Sequence, residues 1–213
     1  LVQIASKAKE CGVELFVLDD GWFGQRNDDH AGLGDWVANP ERLPNGIKGL
    51  SERIEAMGIK FGLWFEPEMT NKDSDLYRAH PDWILHTPGR NASHGRYQYV
   101  LDFSRKEVVE YIYEMMAKIL SEAKVSYIKW DMNRSITECY SVVLPADRQG
   151  EVFHRYILGV YDLYERLTSE FPEVLFESCS SGGGRFDPGM LYYAPQGWTS
   201  DDSDAIERLK IQY

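Results

Sequence analysis

Lys129, Asp131 and Asn133 alternate along Tyr127-Ile128-Lys129-Trp130-Asp131-Met132-Asn133-Arg134. Side chains two apart on a strand share a face, so an extended backbone turns an ammonium, a carboxylate and an amide the same way. Crowding those groups onto a buried strand is costly unless they do chemistry or pair with each other. Two readings follow. Lys129 holds Asp131 ionised, as a carboxylate nucleophile requires. Alternatively, a Lys129–Asp131 ion pair simply closes the strand end. This segment alone leaves both open. Further carboxylates, Asp19, Asp20, Glu66, Glu68, Glu177, Asp201 and Asp202, stand at the ends of other apolar runs. Such an acidic ring suits metal binding, or acid, base and nucleophile work on an uncharged substrate. An enolase-type metal site would take Lys129 as base beside ions held by carboxylates. Against it, His30, His80, His86, His94 and His154 fall in loops or helices and not at strand ends. We therefore expect no metal ligands and no cofactor. The remaining option is glycoside chemistry, in which two carboxyl groups flank the scissile bond.

The elements that must carry these residues alternate. Leu1 to Cys11 is helix-like, with Leu1, Ile4, Ala5 and Ala8 on one face and Gly12 as its stop. Val13 to Leu18 reads as a strand ending on Asp19-Asp20-Gly21-Trp22, and a polar functional loop follows from Phe23 to Gly46. Ile47 to Met57 is helical by spacing, and Ile59 to Phe65 is the next strand. Residues 70 to 103 are broken by Pro81, Pro88 and Gly89, with Tyr97 to Phe103 extended. Ser104-x-x-Glu107 predicts a capping box for a helix over Arg105 to Ala123. Strands are then expected over Val125 to Trp130, Glu173 to Glu177 and Gln196 to Thr199, with helices over Val152 to Glu170 and from Ala205. Apolar strands separated by helices mean parallel βα units, which doubly wound sheets and (β/α)8 barrels share. Functional-looking polar groups at every strand end favour the barrel, whose strand ends converge on one mouth. Ser181-Gly182-Gly183-Gly184 is not GxGxxG and lacks an acidic partner downstream, so a dinucleotide site is disfavoured.

Composition narrows the partners. The formal charge of −11 argues against nucleic acid or an anionic membrane. Aromatic residues make up 13%, including 6 Trp and 13 Tyr, which suits a sugar-processing cleft as well as a plain core. Cys11, Cys139 and Cys179 form no CxxC pair and no full disulfide framework, which fits a reducing compartment, and we expect a cytoplasmic protein. No apolar run suggests a membrane span.

LDDGWF (Leu18 to Phe23), LWFEPEM (Leu63 to Met69), YIKWDMNR (Tyr127 to Arg134), ESCSSGGGRFD (Glu177 to Asp187) and WTSDDSDAIERLKIQY (Trp198 to Tyr213) run in order through the chain. Together they resemble the retaining α-galactosidases of glycoside hydrolase family 36, most closely the long bacterial members. The resemblance implies an α/β fold, a (β/α)8 TIM barrel. Residues 1–213 would be part of a single catalytic domain, truncated at both ends and holding roughly the second to sixth strands. It implies Asp131 as nucleophile and Asp201 as acid/base. Asp19 and Asp20 would grip the 4- and 6-hydroxyls of a terminal galactose, and Trp64 would wall the pocket. Lys129 and Arg96 would bond ring hydroxyls, and Asn133 would join the substrate-binding set. Cys179 and Gly182 would border the 2-position, where small residues favour galactose over N-acetylgalactosamine. Trp198 would line the same site with Asp202, which is also an alternative acid/base. The implied substrates are galactoside oligosaccharides of the melibiose and raffinose type. A raffinose-type α-galactosyltransferase on the same scaffold is the alternative, with a non-catalytic galactoside-binding protein behind it. The full-length protein is expected to be a homo-oligomer, with a tetramer suspected.

Plainer roles are also expected. Asp204 reads as a helix cap and Glu66 and Glu68 as supporting residues, while Asp28, Asp29 and His30 read as a solvated loop. Asp35-Trp36 is a candidate to touch substrate or a neighbouring subunit. A partial barrel is expected to expose sheet edges and apolar surface.

Overall fold

A computed structural model describes residues 1–213. Its strands are β1 (Leu15–Leu18), β2 (Lys60–Phe65), β3 (Met69–Asn71), β4 (Gln98–Val100), β5 (Tyr127–Trp130), β6 (Leu175–Ser178) and β7 (Gln196–Gly197). Five of them form one parallel sheet in the order β1-β2-β5-β6-β7, and β3 pairs with β4 as a separate antiparallel ribbon. Each sheet strand lies beside its predecessor in sequence, apart from the inserted ribbon. A doubly wound sheet reverses its strand order at a switch point. This sheet has no reversal, which is the strand order of a partial (β/α)8 barrel.

The helices are α1 (Val2–Glu10), α2 (Gly46–Glu55), α3 (Asp75–Ala79), α4 (Lys106–Glu122), α5 (Val152–Glu170), α6 (Pro188–Tyr193) and α7 (Ala205–Ile211), with a 3-10 turn over Ala146–Glu151. Their apolar stripes pack on the sheet. Val108, Ile112 and Met116 of α4 and Tyr156, Val160 and Leu163 of α5 join Phe61, Ile128, Trp130 and Phe176 in one core. Burying one such side chain is worth about 1.5–3 kcal/mol. Gly159 is required where α5 meets the chain before α4, because a Cβ there would stand 1.9 Å from the Phe103 carbonyl oxygen.

The expected strands and long helices are present, with strand bounds within one or two residues of those expected; β6 starts two residues later and runs one further. The capping box is not. Ser104 Oγ bonds Asp102 Oδ1 at 2.5 Å, and Arg105 takes the N-cap position with no side-chain cap bond. The hydroxyl instead donates to the buried Asp102 carboxylate, which also accepts from Ser104 N–H at 3.1 Å and so holds the side chain away from the helix amides. Strand β3 and the helices α3 and α6 were not anticipated, each being short with too little periodicity to register, whereas β4 falls within the stretch expected to be extended. On α1, Ala5 is buried while Leu1 and Ile4 of the expected apolar face are exposed. Ile206 and Leu209 on α7 are also exposed, and β1 and β7 are the sheet edges.

Candidate active site

The ladder of the sheet continues one residue past the strands and thereby aims the site. Asp131 N–H donates to Phe65 O at 2.7 Å, Cys179 N–H to Trp130 O at 2.8 Å, and Trp198 N–H to Ser178 O at 3.0 Å. Asp131, Cys179 and Trp198 therefore follow one another around the same rim. Asp131 is buried, and its carboxylate is fully engaged by donors. Oδ2 accepts from Trp64 Nε1 at 3.1 Å and Asn133 Nδ2 at 2.7 Å, and Oδ1 accepts from Met132 N–H at 2.8 Å. Trp64 is itself buried and pinned through its carbonyl by Trp22 Nε1 at 2.9 Å.

Lys129 does not pair with Asp131. Its ammonium reaches Asp19 Oδ2 at 2.9 Å on β1's end and lies 5.1 Å from the Trp198 ring centroid. Burial works against its charge, but the bond to Asp19 and the charges of Asp19 and Asp131 hold its pKa above the ordinary lysine value. The strand-plug reading is thereby corrected, because Asp19 can approach the ammonium from the open side while Asp131 is occupied by neutral donors.

Asp20 faces a partner that we did not anticipate. Arg26 grips it as a fork, Nε to Oδ1 at 2.9 Å and Nη2 to Oδ2 at 2.8 Å. Arg26 is buried, and its Nη1 continues to Asn71 Oδ1 at 3.2 Å. Asn71 Nδ2 donates to Tyr97 O at 2.9 Å, which ties the Asp20 side of the rim to the turn that carries Arg96. The available signal for Arg26 was a cation six residues after Asp20 in an acidic loop. Arg96 (φ 50°) and Tyr97 (φ 59°) are consecutive left-handed non-glycine residues, an arrangement stored where surrounding structure enforces it. The Arg96 side chain is exposed and near enough to Glu66 to act on its charge.

Cys179 is buried beside Asp131. Burial first, and then the neighbouring carboxylate, pushes its thiol up to about 12 despite a lowering bond from the Gly182 backbone, so it is a neutral, small wall. Gly182 (φ 98°) passes under β7's end, and a Cβ there would meet Thr199 O at 2.9 Å. On the far side Trp198 Nε1 donates to Asp201 Oδ1 at 2.7 Å. Asp202 Oδ1 accepts from Asp204 N–H at 2.9 Å, while Asp204 caps α7 through Ile206 and Glu207 N–H. Both Asp201 and Asp202 are exposed.

Two expected supports are more interior than anticipated. Glu68 is fully buried and accepts from Trp130 Nε1 at 2.9 Å, Arg185 Nη1 at 2.8 Å and the Tyr156 hydroxyl. Glu66, also fully buried, accepts from Asn133 N–H and from Gln98 Nε2 at 2.9 Å. Asp35 holds the start of α3: its carboxylate accepts from Asp75 N–H at 3.0 Å and Leu76 N–H at 2.9 Å, and Trp36 is core. No group of His, Cys, Asp and Glu is arranged to hold a metal ion.

The rim offers two carboxylates of different exposure, a lysine held by Asp19 beside the Trp198 ring, and carboxylate and indole groups that match sugar hydroxyls and faces. Comparison with known proteins agrees with that chemistry. Residues 1–213 match the Melibiase family. The chain is 58% identical over its whole length to the α-galactosidase AgaA of Geobacillus stearothermophilus, of which it spans 29%. It superposes on the AgaA crystal structure with a TM-score of 0.98, covering 30% of that chain. It superposes with a TM-score of 0.97 on an AgaA variant in complex with raffinose, at 57% identity and 30% coverage of that chain. A related match at 50% identity, TM-score 0.93, is the galactosidase domain of the α-galactosidase–sucrose kinase AgaSK, of which 28% is covered. The chain belongs to the melibiase family, with the α-galactosidases of glycoside hydrolase family 36.

Proposed function

We propose that the protein hydrolyses terminal α-linked galactose from melibiose- and raffinose-type oligosaccharides by double displacement. Asp131 attacks the anomeric carbon while Asp201 protonates the departing oxygen. Water then releases the sugar with Asp201 as base, so configuration is retained. The observation that carries this reading is the Asp131 carboxylate, oriented by donors from Trp64, Asn133 and the Met132 amide at the sheet's mouth. Those neutral donors stabilise the anion without the competing contact that a direct lysine pair would impose. Asp19, Asp20, Lys129 and Arg96 are the polar grips on ring hydroxyls, and Trp64 and Trp198 are the apolar walls. Cys179 and Gly182 keep the 2-position narrow, and Asp202 and Asn133 complete the binding set. The raffinose held by the AgaA variant supports the substrate class. Nothing among these relatives favours the transferase alternative. A homo-oligomer, cytoplasmic in location, remains part of this proposal.

Asp131→Gly in the protein that carries this chain is the direct test, assayed on an activated aryl α-galactoside with and without azide. The expected result is loss of turnover that azide restores as the inverted β-galactosyl azide. Turnover at the parental rate would place the nucleophile elsewhere and remove the assignment.

A further inference from the structure

Glu66 stands at the end of β2 with no exposed surface and no cation bonded to it. A buried carboxylate without an ion pair is costly. Burial, together with the nearby Asp131 charge, lifts it to about 7, against the opposing bond from Asn133 N–H and the attraction of Arg96. Its two oxygens face different parts of the rim. Oε1 accepts from the backbone of Asn133, whose side-chain amide holds Asp131 Oδ2 at 2.7 Å. Oε2 accepts from Gln98, the first residue after the left-handed Arg96–Tyr97 turn. Arg134 ties the same two segments again, donating to Gln98 O and Ser93 O at 2.8 Å each.

Resting on the function proposed above, we propose that Glu66 is a positioning residue that couples the Asn133 amide on the nucleophile to the turn carrying Arg96. Left-handed non-glycine residues are strained and persist only where neighbours over-determine them. Glu66 and Arg134 are such neighbours here. Gln98 Oε1 adds a second observation, being buried with no hydrogen-bond partner. Turning that amide by half a rotation offers its oxygen to a neutral partner at position 66, while Oε1 of residue 66 stays on Asn133. An isosteric amide can therefore replace the carboxylate, and an apolar side chain of equal size cannot.

The test compares Glu66→Gln and Glu66→Leu by kcat, KM and Tm on an aryl α-galactoside. Glu66→Leu fills the volume but offers no acceptor, and kcat is expected to fall about ten- to a hundred-fold, as for a small misplacement of a reacting group. Glu66→Gln is expected to recover most of that loss. In an Asn133→Ala background, Glu66→Leu should add little further loss in kcat, because its route to Asp131 is already gone. Full additivity, or a Gln variant no better than Leu, overturns the proposal. So does a Leu variant that folds and turns over normally. If Glu66→Leu does not fold, Gln98→Leu decides. KM rises about ten-fold if this link sets the Arg96 turn, and an unchanged KM overturns it. Asp131→Gly in parallel separates the failures. Activity without Asp131 removes the functional reading itself, whereas a strict need for Asp131 with indifference to Glu66 removes only this inference.

Discussion

Asp131, at the end of β5, is 6% exposed and carries donors on both oxygens, whereas Asp201, beyond β7, is exposed and accepts from Trp198 alone. Around Asp131 the supports are interior and themselves supported: Trp22 holds Trp64, Glu66 holds Asn133, and Arg185, Tyr156 and Trp130 converge on Glu68. Around Asp201 the supports are local, namely one indole and the cap that Asp204 places on the seven-residue helix α7. A group that attacks carbon must be placed within tenths of an ångström, and a dense polar network in a low-dielectric interior supplies that placement. A group that exchanges protons with leaving group and water needs solvent on one side. The contrast assigns rigid preorganisation to one flank and access to the other.

The largest test of this contrast is Arg185→Met. It leaves Glu68 buried without its cation, so the expected loss is about 3–5 kcal/mol, read as a fall in Cm of urea unfolding. A change as small as that of a surface substitution would show that the interior flank is not held by this network. Next is the pH dependence of stability set by Glu66. Its carboxyl titrates near 4.5 when unfolded and about 7 when folded, so the native state binds the proton more tightly. The stabilisation is complete below 4.5 and is lost as pH rises through 7, roughly 3 kcal/mol in all. Asp131 and Arg96 are the charges facing it. Tm measured from pH 4.5 to 7.5 should decline in the parent and be flatter in Glu66→Gln; parallel curves would refute the assignment.

On the exposed flank, Trp198→Phe removes the single donor to Asp201, worth about 2 kcal/mol for a bond to a charged group. The expected kcat loss is larger on raffinose, whose leaving oxygen needs the proton, than on an activated aryl galactoside, with Tm little changed. Equal losses on both substrates would mean that Trp198 acts as a wall and not through Asp201. The smallest effect is expected from Asp204→Ala, about 1 kcal/mol from the lost cap. Hydrogen exchange in α7 should quicken while β5 stays protected, and matched changes in both would erase the distinction between the flanks.

The barrel reading rested on local pattern and survived because the pattern is local. Apolar runs of strand length, helices such as Val152–Glu170 found at their expected bounds, and carboxylates at strand ends all follow from period and propensity within a few residues. Gly12 stopped its helix in left-handed backbone, as its position after the apolar stripe implied. The failures share a different cause. Ser104 was read as a cap because Glu107 follows it, yet Asp102 captured its hydroxyl. Asp35 was read as a candidate to touch substrate or a neighbouring subunit, and the unexpected α3 put two free amides within its reach.

By itself, the sequence determined that this chain alternates strand and helix, that its acids gather at one end of a parallel sheet, and that Asp131 stands among them on the Lys129 face. Tertiary structure alone decided who pairs with whom. Lys129 finds Asp19 across 110 positions, Arg26 closes on Asp20, and Glu66 joins Asn133 to the Arg96 turn through Gln98. Periodicity is written in neighbouring residues, so it can be read before folding. The partner of a buried charge is whichever polar group the closed chain brings within 3 Å, and that depends on loops whose course no local spacing encodes.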